Sequence, residues 1–325
     1  MAYSNQIGTR VVSALDIIDH VFRRCRLPAQ AITSEMQAYA LQCVFTFLSS
    51  LANPKPPSWC IDKKLLPMYQ NQPVVGLPTG TIEVLNLNYR TIQQISGAIA
   101  TTGVSYTSDF GSPTVISTVG IRWSGTPTNS VIETSQDNVS WTQVGLLGSA
   151  IAGDIEWVDI SGPLASRYIR VVGAGTLNYA WIVFGNTPIE IPLGVLNMDD
   201  YVNQSNKVYP SRPNSFWFQR NLANPVINLW PAPFDQAEKA QLVLYRHREI
   251  MDTQNLRQQI EIPNRWFEAV IFGVATLVAM ETPAVPLEIV NRLEMSASTA
   301  LQQARDGDSN GSSTFINPGI GVYTK

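Results

Sequence analysis

The spacing of apolar residues near the N-terminus predicts two helices. Val11, Leu15, Ile18 and Phe22 fall on one stripe of a first helix, which Thr9 can cap. A second stripe follows a capping box that begins at Ser34 and ends before an Asn-Pro pair. Because neither helix can bury its stripe alone, the two should pack as an antiparallel hairpin.

The pattern changes to short alternating runs between residues 86 and 188. These runs are separated by turn residues, as in an antiparallel sandwich. Their apolar positions are Ile121, Trp123, Val131, Ile132, Trp141, Val144, Trp157, Val158, Ile160, Tyr168, Ile169 and Val171. The same block has no Lys, Cys, Met or His, although the segment before it uses all four and the segment after it uses Lys, Met and His. The block therefore reads as a domain inserted into a different host.

The helical pattern returns after the block. Residues 226–230 and 242–245 flank a Pro-rich connection and predict a hairpin. Asn264 can cap a helix that is apolar around most of its circumference, so this helix should be the central one. Pro286 suits the first turn of a final helix, and Gly307 follows the predicted end of that helix.

These patterns predict an α+β multidomain protein. A helical-bundle host with short β-hairpins would comprise residues 1–85 and 189–306, interrupted by an antiparallel β-sandwich (jelly-roll) insert at 86–188. Residues 307–325 have no helical period but remain apolar, which is typical of an extended arm that orders against a partner. The apolar side chains expected to dock are Phe315, Ile316, Ile320 and Tyr323.

Composition narrows the function classes. A net charge of -3 and a charged fraction of 14% argue against a nucleic-acid-binding protein, which needs clustered Lys and Arg. The N-terminus has no signal-peptide pattern, and the longest apolar stretch, residues 269–280, is too short to span a membrane. We therefore expect a cytoplasmic environment and no membrane partner. Cys25, Cys43 and Cys60 have no metal-ligand spacing and are expected to be buried thiols.

Catalytic motifs do not occur in the sequence, and His20 and His247 cannot form a His-rich metal site. Asp154, Glu156 and Asp159 form a carboxylate cluster that could act as a glycosidase pair. The alternative is that these charges lie on an edge strand and prevent association between sheets. The period of a strand favours the alternative, so no enzyme activity, metal or cofactor is predicted.

Aromatic residues are the other candidate site. Trp123, Trp141 and Trp157 could stack on sugar rings if their faces were exposed. Each of them lies among β-branched residues in a strand pattern, which favours core packing instead.

Part of the predicted insert contains a recognisable series of motifs: Ser135-x-Asp137-x-x-x-Trp141, residues 157–160 and the Arg-Tyr-Ile-Arg run at 167–170. In these motifs the insert resembles the discoidin, or coagulation-factor type C, family. The resemblance implies the galactose-binding jelly-roll fold. In that family these residues build the sandwich, whereas ligands bind at variable loops.

The flanking segments contain four further motifs besides the N-terminal helix pair and the closing helices. They are Leu-Pro-Thr-Gly-Thr at 77–81, Met-Asp-Asp-Tyr at 198–201, Pro-Ser-Arg-Pro-Asn-Ser-Phe-Trp at 210–217 and Asn-Leu-Trp-Pro-Ala-Pro at 228–233. In the order and spacing of these features, the flanking segments resemble the head-to-tail adaptor proteins of short-tailed bacteriophages. The family implies a twelvefold ring under the portal that continues the DNA channel, receives the tail machinery and inserts its C-terminal tail into the portal.

The resulting prediction is a structural virion protein of the phage neck or tail, assembled in the host cytoplasm. Its expected partners are further copies of itself, the portal protein and downstream nozzle or fibre proteins. DNA would pass through the ring during ejection without sequence-specific binding. The alternative is a carbohydrate-binding or adhesion protein that acts through the sandwich.

Overall fold

The computed structural model describes residues 12–51, 57–123, 128–147, 153–160, 165–221, 224–234 and 240–308, with no side-chain description for 96–104, 128–129 and 174–181. The chain divides into two compact units. The helical unit comprises Met1–Ile61 with Glu249–Lys325, and the β-unit comprises Asp62–Arg248.

The described residues form five α-helices and fourteen β-strands. The helices are α1 (Ala14–Arg24), α2 (Ser34–Leu51), α3 (Met198–Val202), α4 (Phe267–Glu281) and α5 (Leu287–Asp308). The strands are β1 (Ile61–Pro67), β2 (Val74–Gly76), β3 (Thr81–Thr114), β4 (Thr118–Trp123), β5 (Thr128–Ser135), β6 (Thr142–Leu146), β7 (Ile155–Asp159), β8 (Ser166–Pro192), β9 (Gly194–Val195), β10 (Pro210–Ser211), β11 (Ser215–Gln219), β12 (Val226–Trp230), β13 (Ala232–Pro233) and β14 (Ala240–Arg248).

The first helix begins later than the apolar stripe alone predicts. Ser13, not Thr9, is the N-cap of α1: its Oγ accepts from the Asp16 backbone N–H at 3.2 Å, and the Asp16 carboxylate accepts from the Ser13 N–H at 2.9 Å. This reciprocal pair satisfies two backbone donors that would otherwise lack partners. Thr9 lies outside the described residues. In α2 the capping side chain is that of Thr33, which accepts from the Met36 N–H, rather than that of Ser34.

The helix α4 is the centre of the helical unit, as its apolar circumference predicts. It is buried on nearly all sides, and α1, α2 and α5 all contact it. Gly273 permits the close approach of α2, because a Cβ at this position would lie 2.1 Å from the Phe47 ring. Cys25 and Cys43 belong to this core, and burial raises the pKa of the Cys25 thiol to about 11. The third cysteine, Cys60, is buried as well, so the prediction of buried thiols is confirmed.

The β-unit is built around one large sheet with the strand order β1-β14-β3-β8-β4-β7. The long strands β3 and β8 pair antiparallel over most of their length, and β5 and β6 join the sheet through β8. Residues of β4, β5, β6 and β8 pack around one apolar core. That core contains Trp123, Ile132, Ile169, Val171 and Phe184. An antiparallel sandwich is thus present in this part of the chain.

The long strands cross the predicted limits of the insert. Residue 86 lies within β3 and residue 188 within β8, so neither limit coincides with a break in the backbone pairing. The first residues of β3 pair with β14, and the same strand then continues into the sandwich, where it pairs with β8. The sheet therefore has no break at residue 86. The two compact units divide at residues 61 and 249, which are not limits of the predicted insert. The limits of the insert at residues 86 and 188 remain a prediction.

The predicted hairpin of residues 226–230 and 242–245 is wrong. Strand β12 pairs with β11 and β2 in a separate four-stranded sheet, whereas β14 pairs with β3 in the large sheet. Their apolar residues nevertheless share one core, to which Ile227, Leu229, Leu242 and Leu244 all contribute. The α+β class is confirmed, and its β-part consists mainly of antiparallel pairs.

Candidate functional site

Two of the three candidate tryptophans lie in the core of the β-unit. Trp123 is 1% exposed and Trp157 is 4% exposed, so neither presents a ring face to a ligand. The Trp157 ring lies across Gly120, where an added Cβ would be 2.7 Å from the indole. Burial agrees with the core-packing alternative for both residues. Trp141 differs, because it is partly exposed just before β6.

Trp141 is held by charged neighbours on the outer side of the sandwich. The Arg170 guanidinium lies 4.2 Å from the centre of the Trp141 ring, a cation–π distance, and Arg170 Nε donates to the Glu133 carboxylate at 2.5 Å. Glu133 and Arg170 face each other on β5 and β8. One face of the indole is thus covered by a guanidinium that is itself fixed by an ion pair.

The turn that leads to Trp141 is built by Asp137. Its carboxylate accepts from the backbone N–H groups of Val139 and Ser140 at 2.9 and 2.8 Å, and Asn138 takes a positive φ of 60°. These hydrogen bonds favour the ionised form, so they hold the pKa of Asp137 well below its ordinary value. The Ser-x-Asp-x-x-x-Trp motif therefore builds a turn and positions Trp141 against Arg170. This is a structural task, as the resemblance implies.

The carboxylate cluster at 154–159 joins the two ends of the large sheet. Asp159 on β7 accepts from Lys63 of β1 at 2.6 Å and from Arg90 of β3 at 2.7 Å. The Tyr69 hydroxyl donates to Asp154 at 3.1 Å and accepts from the Ile155 N–H at 3.2 Å. The first and last strands of the sheet order therefore contact each other through side chains. Of the three carboxylates, Asp154 and Asp159 thus bind protein groups, which fits a structural role better than a catalytic pair.

The residues predicted to dock on a portal, Phe315, Ile316, Ile320 and Tyr323, lie outside the described residues. The helix before them is longer than predicted. α5 continues through Gly307 to Asp308, whose carboxylate accepts from the Trp266 Nε1–H at 2.9 Å and from Arg265. Because this carboxylate anchors the last turn, the predicted arm cannot begin at Gly307.

The four internal adaptor-like motifs, which are far apart in the sequence, meet in one place. Residues 77–81 follow β2, residues 198–201 belong to α3, residues 210–217 include β10 and β11, and residues 228–233 include β12 and β13. Strands β2, β12, β11 and β9 form the four-stranded sheet, and β10 pairs with β13 beside it. We call this region the small sheet. Sequence order alone does not reveal the convergence.

Side-chain contacts tie these motifs together. The ring of Tyr201 stacks on that of Trp217 with centroids 5.4 Å apart, and Trp230 Nε1 donates to the Asn206 carbonyl at 3.2 Å. Arg246, which is buried, donates to the carbonyls of Pro78 and Thr79 at 3.0 and 3.1 Å. The Tyr201–Trp217 pair therefore joins two of the motifs directly, whereas Asn206 and Arg246, which lie outside the motifs, each bind one of the other two.

Five exposed apolar side chains lie on β9, on α3 and in the loop before β10, all of which belong to or adjoin the small sheet. We call them the apolar strip: Val195, Met198, Val202, Val208 and Tyr209, which are 74%, 59%, 54%, 67% and 55% exposed. Met198 and Val202 are one helical turn apart on α3 and so lie on the same helix face. Exposed apolar side chains mark contact surfaces for other proteins where they form a contiguous patch. No pattern in the sequence indicates the strip, because its residues follow no single period.

Among the described residues, no group of His, Cys, Asp or Glu side chains has the arrangement of a metal site. No helix in the part of the chain that the structure describes is both long and apolar enough to cross a membrane. The helical unit has an open groove of about 560 Å³ between the start of α2 and residues 255–257, lined mainly by apolar atoms that include those of Ala38, Leu41 and Leu256.

No protein-family model matches the chain, and no curated protein is similar to it. Solved structures are similar over part of its length. One of them is the putative chitobiase fragment from Bacteroides thetaiotaomicron, which is 19% identical in sequence. The match covers 28% of this chain and 63% of that fragment, and its TM-score is 0.22.

Two further similar structures are carbohydrate-binding modules. The CBM32 of AlyQ in complex with 4,5-unsaturated mannuronic acid is 17% identical in sequence. The match covers 33% of this chain and 98% of that module, with a TM-score of 0.24. The CBM32-1 of a family 31 glycoside hydrolase from Clostridium perfringens is 17% identical in sequence. This match covers 39% of this chain and 94% of that module, with a TM-score of 0.22. At these scores the similarity does not transfer a function to this chain. None of these three structures is a virion protein.

Proposed function

We propose that this chain is a structural assembly protein: a ring-forming head-to-tail adaptor that connects a phage portal to the tail and continues the DNA channel. One observation carries the proposal. The four internal motifs that resemble the adaptor family meet in the small sheet, and that same region bears the apolar strip. A protein that works by assembly needs such a surface, because contacts between subunits bury apolar side chains.

The apolar strip suits a repeated contact between copies. If the strip of one subunit binds a different surface of the next, the contact is heterologous. Such contacts produce a closed ring when the rotations between successive subunits add up to one full turn. Ring closure, the portal, the tail proteins and the twelvefold count all belong to this proposal. The absence of enzyme activity is also part of this proposal. It is supported by Asp154 and Asp159, whose carboxylates bind groups of the protein itself.

The experiment compares two charge insertions in the full-length protein. In the first variant, Met198→Asp and Val208→Asp place carboxylates in the apolar strip. In the control, Val139→Asp places one on the sandwich, where Val139 is 80% exposed. Mass photometry and negative-stain microscopy, with and without portal rings, report assembly. We expect rings from the native chain and the control, and mostly monomers from the strip variant because a buried carboxylate without a partner opposes association.

A native chain that stays monomeric both alone and with portal rings would refute the adaptor function. Equal assembly of the strip variant and the control would instead keep the ring but remove the apolar strip from its interface. Circular dichroism of both variants confirms that the fold is unchanged before assembly is compared.

Carbohydrate binding by the sandwich is the second candidate. The observation that favours it is Trp141, which is partly exposed beside a guanidinium and a carboxylate, the side-chain types that hold sugar rings and hydroxyl groups. A glycan array that includes uronic-acid oligosaccharides tests it on the full-length protein. Saturable binding by a monomer favours this candidate, and rings without glycan binding favour the adaptor.

A further inference from the structure

The C-terminal end of α1 carries three arginines within four residues. Arg23 and Arg24 belong to the last turn of the helix, and Arg26 follows after the buried Cys25. The side chains of all three arginines are exposed. We call Arg23, Arg24 and Arg26 the arginine cluster. In a chain with a net charge of -3, this is a strong local concentration of positive charge.

The backbone holds the cluster in a fixed arrangement. The helix ends with the Leu27 N–H donating to the Phe22 carbonyl and the Arg26 N–H donating to the Arg23 carbonyl, both at 3.1 Å. Arg26 takes a left-handed φ of 57°, which closes this helix end. The guanidinium of Arg24 lies 4.7 Å from the centre of the Phe272 ring. A cation–π contact at this distance reduces the freedom of the side chain.

The cluster is not needed for the internal ion pairs of the fold. Within the described residues, Arg90, Arg167, Arg170, Arg246, Arg248 and Arg265 each pair with a carboxylate. No ion pair of the described residues includes Arg23, Arg24 or Arg26. Cations at a helix C-terminus interact favourably with its dipole, but three neighbouring cations also repel one another. An external anion would relieve that repulsion.

The chemistry of the surface selects the anion. Guanidinium groups are planar forks that match phosphate oxygens, and they keep their charge at every physiological pH. A protein interface would also need apolar anchors. Between residues 12 and 33, all of which the structure describes, no large apolar side chain is exposed, and exposed ones of the helical unit such as Phe45 and Met280 lie on α2 and α4. The arginine cluster itself is therefore suited to an electrostatic, salt-dependent contact.

We propose that the arginine cluster binds the phosphodiester backbone of nucleic acid. The proposal rests on the proposed adaptor function for the identity of that nucleic acid, which is the DNA that passes through the ring. Three contacts per subunit are too few for tight binding and carry no sequence information. They would centre and guide the strand without holding it, which agrees with the low overall charge of the chain.

The test measures binding of a short fluorescent DNA duplex to the full-length protein at several salt concentrations. Three phosphate contacts predict a slope of about -2.7 for log affinity against log salt, or roughly a 40-fold loss between 50 and 200 mM. In the variant Arg23→Gln, Arg24→Gln, Arg26→Gln the slope should approach zero. The variant with Lys at all three positions should keep most of the binding, since lysine still neutralises phosphate.

The matched control removes the same charge elsewhere. Lys64, Arg220 and Arg292 are exposed, and changing all three to Gln should leave the slope unchanged. Single Gln variants of the cluster should each reduce the slope by about 0.9, which keeps the test valid if the triple variant misfolds. A second duplex of different sequence should bind equally.

Three results would overturn the proposal: equal loss of binding in the control, no salt dependence in the native protein, or binding to polyglutamate but not to DNA. The last result would identify an acidic protein segment as the partner. Ring formation is measured separately by mass photometry, so failure of the adaptor function and failure of DNA binding are distinguishable.

Discussion

Tryptophans in the sandwich differ in what surrounds the ring. Trp123 is buried in the sandwich core, whereas Trp141 has Arg170 on one face and is partly exposed. The energetic consequence of deleting each side chain follows from this difference. Removal of a buried ring loses both its transfer free energy and the packing around the cavity, but removal of a partly exposed ring leaves no closed cavity.

We expect Trp123→Ala to lower the free energy of unfolding of the sandwich by about 3 to 5 kcal/mol. Trp141→Ala should cost less, about 2 kcal/mol, which is the range of a partly desolvated cation–π contact. Urea unfolding followed by fluorescence measures both, with Val139→Ala on the exposed surface as the control. If Trp141→Ala costs as much as Trp123→Ala, the Trp141 environment is more enclosed than its exposure indicates.

His247 makes the β-unit sensitive to acid. It is 1% exposed, its Nε2 has no hydrogen-bond partner among the described residues, and burial lowers its pKa below 6.5 despite the nearby Glu83. As the pH falls below about 6.5, the unfolded chain binds a proton at this position before the folded chain does. Stability is therefore complete above that pH and decreases below it.

Replacement of His247 by Gln should flatten the dependence of the melting temperature on pH below about 6.5. The matched control is His20→Gln, since His20 is the other histidine of the chain and lies in the helical unit, in contact with the Phe267 ring. Melting curves from pH 7.5 down to pH 5 are the measurement. Parallel curves for His247→Gln and the native protein would exclude His247 as the source.

At the scale of elements, a glycine in a strand can be required by its neighbour across the sheet. Ordinarily, Ala in place of Gly stabilises a protein because it restricts the unfolded chain. At Gly120 in β4, however, the added Cβ would lie 2.7 Å from the buried Trp157 ring. The ring cannot move without disturbing its own core, so the sign of the effect should reverse.

Gly120→Ala is expected to destabilise the β-unit by about 1 to 3 kcal/mol. Gly76→Ala in β2 is the matched control, because no atom lies within 4 Å of its added Cβ, and it should be neutral or stabilise by about 0.5 kcal/mol. Differential scanning calorimetry compares the two. A higher melting temperature for Gly120→Ala would show that Trp157 has another position available.

The end of α5 depends on one carboxylate. The side chain of Asp308 is 7% exposed and accepts from Trp266 Nε1, while Trp266 itself is 1% exposed. We expect Asp308→Ala to cost about 1 to 3 kcal/mol, because it leaves the buried indole N–H without a partner. Asp306→Ala, on the exposed side of the same turn, should change stability by less than about 0.5 kcal/mol. Thermal unfolding followed by circular dichroism at a helix wavelength distinguishes them.

Elements with one clear period could be predicted from sequence, and pairings between elements could not. The all-round apolar pattern around Val270 and Val274 identified α4 as the central helix. The cap of α1 was misplaced because both Thr9 and Ser13 are suitable cap residues, and only the capping box with Asp16 decides between them. The hairpin of β12 and β14 was wrong because two apolar strands that are near in sequence can join different sheets over the same core.

At the scale of the whole molecule, the same limit applies to the candidate site. The adaptor-like motifs could each be recognised in the sequence, but their convergence on the small sheet depends on strand pairings across long stretches of chain, such as β2 with β12. The apolar strip is defined by exposure, which no local period encodes. Burial of Trp123 and Trp157 could be anticipated, because an apolar ring among β-branched residues is usually part of a core.

Residues 309–325 should contact the portal, as the adaptor resemblance implies. Truncation after Asp308 keeps the carboxylate that anchors α5, so the helical unit should unfold at an unchanged temperature. Loss of Phe315, Ile316, Ile320 and Tyr323 should nevertheless weaken attachment to portal rings by more than about tenfold, or 1.4 kcal/mol, because apolar and aromatic anchors carry most of the energy of such contacts.

Co-sedimentation of native and truncated protein with portal rings at matched concentrations measures that attachment. The control replaces only these four side chains by Ser in the full-length chain and should weaken binding as much as the truncation does. Equal sedimentation of all three proteins would show that the attachment is made elsewhere, and the apolar strip of the small sheet would then be the next surface to change. Binding that fails in the truncation but survives in the Ser variant would assign the contact to the backbone of the segment.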